Sequence, residues 1–302
     1  MPTWEGIFSE INRVVVPMPK SPYDVVRYRY LHKLAKYTGR NVITYYSGWL
    51  TKPNTQNSDI NDTDMQGFMS AVKGLDCCKG LDLILHTPGG SPTFSESIVN
   101  YLRSKFSHIR VIVPQLAMSA GTMIACSADE IIMGTHSSLG PVDPQINGIP
   151  AYSIIDEFEN AKNDLSSSPQ NVNYWRLILE KYPPAFVKFA WDAIKLSDEL
   201  LKKWLSKYMF SDLGDFEKEA IVNQISSRLN ENSSSKNHSR HFNIDFCKEI
   251  GLKASPLESD NTLQDIVLSL HHAYTLTLAG TAAIKIIENQ NDISYIASIN
   301  RQ

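Results

Sequence analysis

Apolar and polar positions change period several times along the first half of the 302-residue chain. Residues 22–38 (PYDVVRYRYLHKLAKYT) place apolar side chains at helical spacing, and Gly39 is a natural stop. Residues 41–49 (NVITYYSGW) are β-branched and aromatic and predict a strand. A polar loop (TKPNTQNSDINDT) and a short helix (MQGFMSAVK) ending at Gly74 follow. Residues 81–86 (LDLILH), 109–114 (IRVIVP) and 130–133 (EIIM) then predict strands, with a helix over 93–106 and another beyond Ser119. Strands alternating with helices imply a largely parallel sheet with helical cover.

The second half changes character. Residues 151–228 are patterned for helix almost throughout, with breaks at Ser166–Pro169, Pro183–Pro184 and near Gly214. Ser197, followed by Asp198 and Glu199, predicts the start of a helix over LLKKWLSKYM. The pattern from Leu263 to Glu288 predicts one long helix. Residues 53–64 and 229–240 are polar stretches, to be read as gating loops or as disordered connections. The whole predicts an α/β core with an α-helical C-terminal extension.

Charge and cysteine content narrow the function. A net charge of −3 supplies no basic field for nucleic acid or an anionic membrane. Four cysteines at 77, 78, 126 and 247 match no zinc spacing and no secreted disulfide framework, which points to reduced thiols and a cytoplasmic location. Glu5 and Glu10 interrupt the N-terminus where a signal peptide needs an apolar run. Residues 111–128 are uncharged and reach transmembrane length, but Pro114, Gln115, Ser119, Gly121 and Thr122 within them predict strand, turn and helix in a core. No stable membrane insertion is expected.

Two turns carry the candidate chemistry, each after a predicted parallel strand, where open α/β sheets place their ligands. His86–Pro92 (HTPGGSP) has consecutive glycines that can aim backbone N–H groups outward at a developing oxyanion. In Pro114–Asp129 (PQLAMSAGTMIACSAD), Ser119 stands among small residues at the start of a helix. The spacing is not G-x-S-x-G, which disfavours an α/β-hydrolase elbow. Alone, the first turn is equally well read as a plain strand-to-helix turn, and the second is better read as a serine that merely caps a helix. Together they lie one helix apart, so their strands should be neighbours and Gly89 or Gly90 should approach Ser119, the minimum for acyl transfer.

The runs LDLILHTPGG, SESIVNYLR, IRVIVPQLAMSAGTMIACSADEIIMG and SSLGPVDPQI resemble the Clp-fold serine proteinases. The branch they resemble most is the serine dehydrogenase proteinase family, related to signal peptide peptidase SppA and to ClpP. PAYSIIDEFENAK, the KYP and WL-x-x-YMF region, SRHF with KEIGLK, and LQDIVLSLHHAY with KIIEN extend the resemblance over nearly the whole chain from about residue 40. It implies a ClpP/crotonase-like fold, with an N-terminal helical segment over 1–40, a catalytic core over 41–165, and a mostly helical extension over 166–302 that completes the fold and mediates assembly. It further implies a serine endopeptidase with Ser119 as nucleophile, Gly89, Gly90 and Ala120 as the oxyanion donors, and Asp129 as a turn partner. Polypeptide substrates, a homo-oligomer and a separate unfoldase or activating partner follow from the same resemblance.

The proton acceptor for Ser119 stays open. The ClpP branch uses histidine and aspartate, but near the histidine's place this sequence has Asp143, which is retained as a candidate. The SppA branch uses a later lysine, for which Lys162 on SIIDEFENAK is the counterpart of a Ser-Lys type site. A lysine acts as base only when its pKa falls several units below about 10.4, and Glu159 and Asp164 nearby oppose that. His136, His86, His238, His241 and Tyr152 are the other candidates. His271 and His272 are adjacent and would point to different helix faces, so no metal is expected. No P-loop or dinucleotide fingerprint occurs, and no cofactor is expected. Two further readings differ in kind: a non-catalytic or partner-activated Clp-fold scaffold, and a crotonase-type acyl-CoA enzyme, which needs no serine at position 119.

Overall fold

The computed structural model describes residues 2–16, 21–230 and 240–299. Helix α1 (Trp4–Arg13) precedes α2 (Pro22–Thr38), which Ser21 and Asp24 open with a capping box and Gly39 closes at positive φ. There follow β1 (Asn41–Ser47), α3 (Asp64–Val72), β2 (Leu81–His86), α4 (Pro92–Lys105), β3 (Ile109–Val113), a short β4 (Leu116–Ala117), α5 (Ala120–Cys126), β5 (Glu130–Met133) and a short β6 (Ser138–Leu139). A small hairpin, β7 (Gln145–Ile146) and β8 (Ile149–Pro150), leads into α6 (Ala151–Ser167), α7 (Val172–Leu179), α8 (Phe186–Trp204) and α9 (Asp215–Asn230). The chain ends with α10 (Ile244–Glu249), β9 (Ala254–Pro256), α11 (Asn261–Gly280), β10 (Ala283–Asn289) and β11 (Ser294–Ser298).

Seven strands form one sheet in the order β11-β10-β1-β2-β3-β5-β9. The five from β1 to β9 are parallel, and β10 and β11 add an antiparallel edge. The central strands are buried on both faces, so they are largely apolar rather than strictly alternating, with Asp82 of β2 buried in an ion pair with Arg110 of β3. Successive side chains still go to opposite sides. Ile43, Leu83, Leu85, Val111 and Val113 pack with α3, α4 and α5, while Val42, Tyr46, Ile84, Ile112 and Ile132 pack with α2 and α11. A separate apolar cluster of Ile154, Ile155, Phe186, Ala190 and Ile194 joins α6 to α8.

Two expectations are corrected. The helix predicted over 263–288 ends at Gly280, and Ala283–Asn289 is instead a strand hydrogen-bonded to β1. The apolar run AAIKIIE suits either state, and a free sheet edge beside β1 decides it. Ser197 starts no helix: it lies inside α8, which begins after Pro183–Pro184, and it is buried. The uncharged run 111–128 folds as β3, β4 and α5 within the core. Among the described residues no helix is long and apolar enough to cross a membrane.

Candidate active site

Strands β2 and β3 are adjacent and parallel, so the turns at their C-terminal ends leave the sheet side by side. The pairing continues past the strands. Thr87 N–H donates to Leu116 O at 3.0 Å, Met118 N–H donates to Thr87 O at 3.0 Å, and Thr87 bridges Ala117. Ser119 is thereby held directly beside Gly89. A methyl group on Gly89, whose φ is 99°, would lie 2.6 Å from Met118 O and 2.8 Å from the Ser119 Cβ. Only glycine permits that approach.

Ser119 itself adopts φ 51°, ψ −115°, a conformation rare outside glycine. Such strain persists only where the surroundings impose it, and it concentrates at functional positions. Here the turn runs from β4 directly into α5, so the serine sits at the apex of a strand-to-helix elbow. The crowded positions two residues to either side are Ala117, fully buried, and Gly121, where a Cβ would lie 2.5 Å from the Thr87 Cγ2. An elbow therefore forms with Ala-x-Ser-x-Gly in place of G-x-S-x-G. The spacing still departs from G-x-S-x-G, so the turn is not the α/β-hydrolase elbow that the sequence disfavoured.

The amides of Gly89, Gly90 and Ala120 belong to the two turns that meet at Ser119. Gly89 N–H is used internally, donating to Thr87 Oγ1 at 3.2 Å. The Gly89 carbonyl accepts from Ile60 N–H at 2.8 Å. In a trans peptide the C=O and the following N–H point in opposite directions, so the Gly90 N–H is aimed away from Ile60. Neither Gly90 N–H nor Ala120 N–H donates to a backbone acceptor among the described residues. Of the three donors expected from sequence, Gly90 and Ala120 have the amide free for a ligand.

Ser119 opens onto a cleft of about 530 Å³. One wall is Pro88–Thr93 with Met123, and the other is Val142–Gln145 with Ala193, Leu196 and Ser197 of α8. Asp143 is buried in this wall, and Asp59 stands exposed at the cleft. Tyr152, half-buried on α6, has its pKa raised by burial and by the charges of Asp143 and Asp198.

The other candidates lie elsewhere. Lys162 is exposed on α6 and is not among the residues lining the cleft. His86 faces the α11 side of the sheet, where it is buried against Tyr46, Trp49 and His271. His136 is largely exposed and its Nε2 lies 3.0 Å from Pro114 O, His241 is exposed, and His238 lies outside the described residues. Asp129 accepts from Arg103 at 2.8 Å and from Ile109 N–H at 2.7 Å, at the far end of the sheet from Ser119. His271 is engaged with the Tyr46 hydroxyl at 3.3 Å, and among the described residues no three His, Cys, Asp or Glu side chains converge as for a metal.

The family described as ClpP-like SDH-type serine proteinase matches residues 15–181, more than half of the chain. The chain belongs to this family. The matched span contains β1 to β5, both turns and Ser119, and the mostly parallel sheet is that of a ClpP-like fold. The chain is also 43% identical over 105 residues to uncharacterized protein MJ0137 of Methanocaldococcus jannaschii, covering 35% of this chain and 37% of that protein. A second protein of that organism, uncharacterized protein MJ1495, is 41% identical over 99 residues, 33% of this chain and 34% of its own length. The chain thus spans about a third of the length of these curated relatives.

Proposed function

We propose that this member of the ClpP-like SDH-type serine proteinase family hydrolyses peptide bonds through an acyl-enzyme on Ser119. The observation that carries the reading is the approach of the Gly89–Gly90 turn to a serine held at positive φ, with the Gly90 and Ala120 amides left over. Ser119 Oγ attacks the scissile carbonyl, and the oxyanion that forms accepts from Gly90 N–H and Ala120 N–H. The proton leaves Oγ for Asp143, the buried carboxylate of the facing wall, and passes to the departing amine. Water then repeats the sequence on the ester and releases the acid.

Lys162 would make this a Ser-Lys site, but from the outer side of α6 its ammonium would first have to travel into the cleft. Asp143 is therefore the acceptor this reading uses. Cleavage of an unfolded polypeptide tests it. Ser119→Ala should fall to background, Asp143→Asn should lose about 10²- to 10⁴-fold in kcat, and Lys162→Ala should match the parent. A Lys162→Ala variant as inactive as Ser119→Ala, with Asp143→Asn unimpaired, would replace Asp143 by Lys162 in the mechanism.

The same reading takes the protein as a homo-oligomer. Val172, Tyr174 and Leu177 of α7 and Phe189 and Trp191 of α8 are each exposed, apolar surface that subunit contacts would cover. Folded substrates would require a separate unfolding partner. The four free cysteines suit a reducing compartment, and the reading accordingly places the enzyme in the cytoplasm.

A further inference from the structure

The Gly89–Gly90 peptide is aimed by a neighbour that does not itself touch the cleft chemistry. Ile60 crosses over the turn, donating its N–H to Gly89 O at 2.8 Å and accepting from Ser91 N–H at 3.2 Å. The two chains are so close that a Cβ on Gly90 would lie 2.4 Å from Ile60 O and 2.5 Å from its N. Wherever Ile60 goes, the Gly90 N–H follows, because the carbonyl and amide of one peptide plane move together. The geometry of the oxyanion donor is thus set by residues 59–61, a stretch with no secondary structure of its own beyond this single bridge.

Both ends of that stretch are tied to one buried group of side chains. Lys285 of β10 donates from Nζ to Asp59 O at 2.6 Å, immediately before Ile60. Asp64, the first residue of α3, accepts from Asn61 N–H at 3.1 Å, immediately after it. Lys285 and Asp64 are themselves paired, Nζ to Oδ1, at 2.6 Å, and Tyr45 of β1 donates its hydroxyl to the second Asp64 oxygen at 2.9 Å. All three side chains are buried, and none lines the cleft. Burial lowers the Lys285 pKa against the raising effect of Asp64, and raises that of Asp64 against the lowering effect of Lys285. Burying such a pair is costly and a well-packed apolar replacement can be as stable, so its presence calls for a reason other than stability.

We propose that Lys285, with Asp64 and Tyr45, is a positioning residue for the oxyanion turn: it pins residues 59 and 61, and the Ile60 peptide between them orients the Gly90 N–H towards the carbonyl attacked by Ser119. The proposal rests on the Ser119 reading above. It adds a device that reaches the site from an antiparallel strand two positions away in the sheet.

The test removes the ammonium without stranding its partner. In Lys285→Met/Asp64→Asn the packing and one acceptor remain, but the link to Asp59 O is gone. Kcat on a peptide substrate should fall about 10²-fold with KM within about twofold of the parent, as for a donor displaced only in the transition state. Affinity for a peptide aldehyde, whose adduct carries the oxyanion, should fall by the same factor. Amide exchange should quicken in the peptide spanning residues 87–91 while that of β1 stays protected. Tyr45→Phe, a milder cut in the same network, should lose several-fold in kcat by the same pattern, and it decides the matter if the double variant does not fold. Unchanged kcat in Tyr45→Phe and in a folded double variant overturns the proposal while leaving Ser119 as nucleophile. A parent chain that neither turns over substrate nor binds the aldehyde overturns the Ser119 reading and this proposal with it.

Discussion

Arg27→Met is expected to destabilise the fold by about 3–5 kcal/mol, although Arg27 is far from the cleft, because it strands a buried carboxylate. Arg27 of α2 and Glu288 of β10 are both fully buried, with Nε and Oε1 2.7 Å apart. The guanidinium also donates to Thr277 at 3.0 Å and to Asp24 at 2.7 Å, and Tyr274 donates to Glu288 at 2.5 Å. Burial alone would lower the Arg27 pKa; the charge and hydrogen bond of Glu288 more than offset this and leave it raised. The pair joins α2, α11 and the antiparallel edge of the sheet. Urea unfolding measures the loss, and adding Glu288→Gln to Arg27→Met should restore at least half of it. A midpoint unchanged in the single variant would contradict this account of the edge.

Acidification is expected to cost a comparable amount through His86. Its ring lies 4.4 Å from Trp49, 5.2 Å from His271 and 5.5 Å from Tyr46, centroid to centroid. Burial pushes its pKa from 6.5 down to about 3. The unfolded chain therefore binds a proton that the folded chain refuses, and stability is lost as pH falls from 6.5 towards 3. The slope is about 1.4 kcal/mol per pH unit, or roughly 5 kcal/mol across the window. His271 acts in the same direction, its pKa lowered by burial and then by the charges of His86, His272 and His136. Since His86 directly precedes Thr87 and the glycine turn, the same protonation disturbs the site. Unfolding midpoints at pH ~7, ~5.5 and ~4.5 should fall less steeply in His86→Gln than in the parent. Equal slopes would show that His86 is not held neutral.

The parallel core was legible because each element carries local signals. Ser21 with Gly39 bounds α2, and the short, mostly apolar and β-branched runs of β2, β3 and β5 announce buried strands. The two turns were legible as a pair, since the single helix between them makes their strands neighbours. What was not legible depends on contacts distant in sequence. Lys285 in KIIEN reads as an ordinary polar position, and its carboxylate partner is 221 residues away. Ser197 carries the chemistry of a helix start, but α8 already begins at Phe186 and its buried face includes Ser197. Lys162 satisfied the spacing of a lysine base, yet the buried face of α6 is formed by Ala151, Ile154, Ile155 and Ala161, which leaves Lys162 outside. Spacing along a chain predicts which face of a helix a residue takes, and only the packing says which face meets the site.

Intact-mass measurement after fluorophosphonate treatment, on the parent chain and on Ser119→Ala, tests the central claim most directly. One adduct on the parent, mapping to Ser119 and absent from the variant, is the predicted result. A folded parent that takes no adduct, or an adduct that persists in Ser119→Ala, would contradict it.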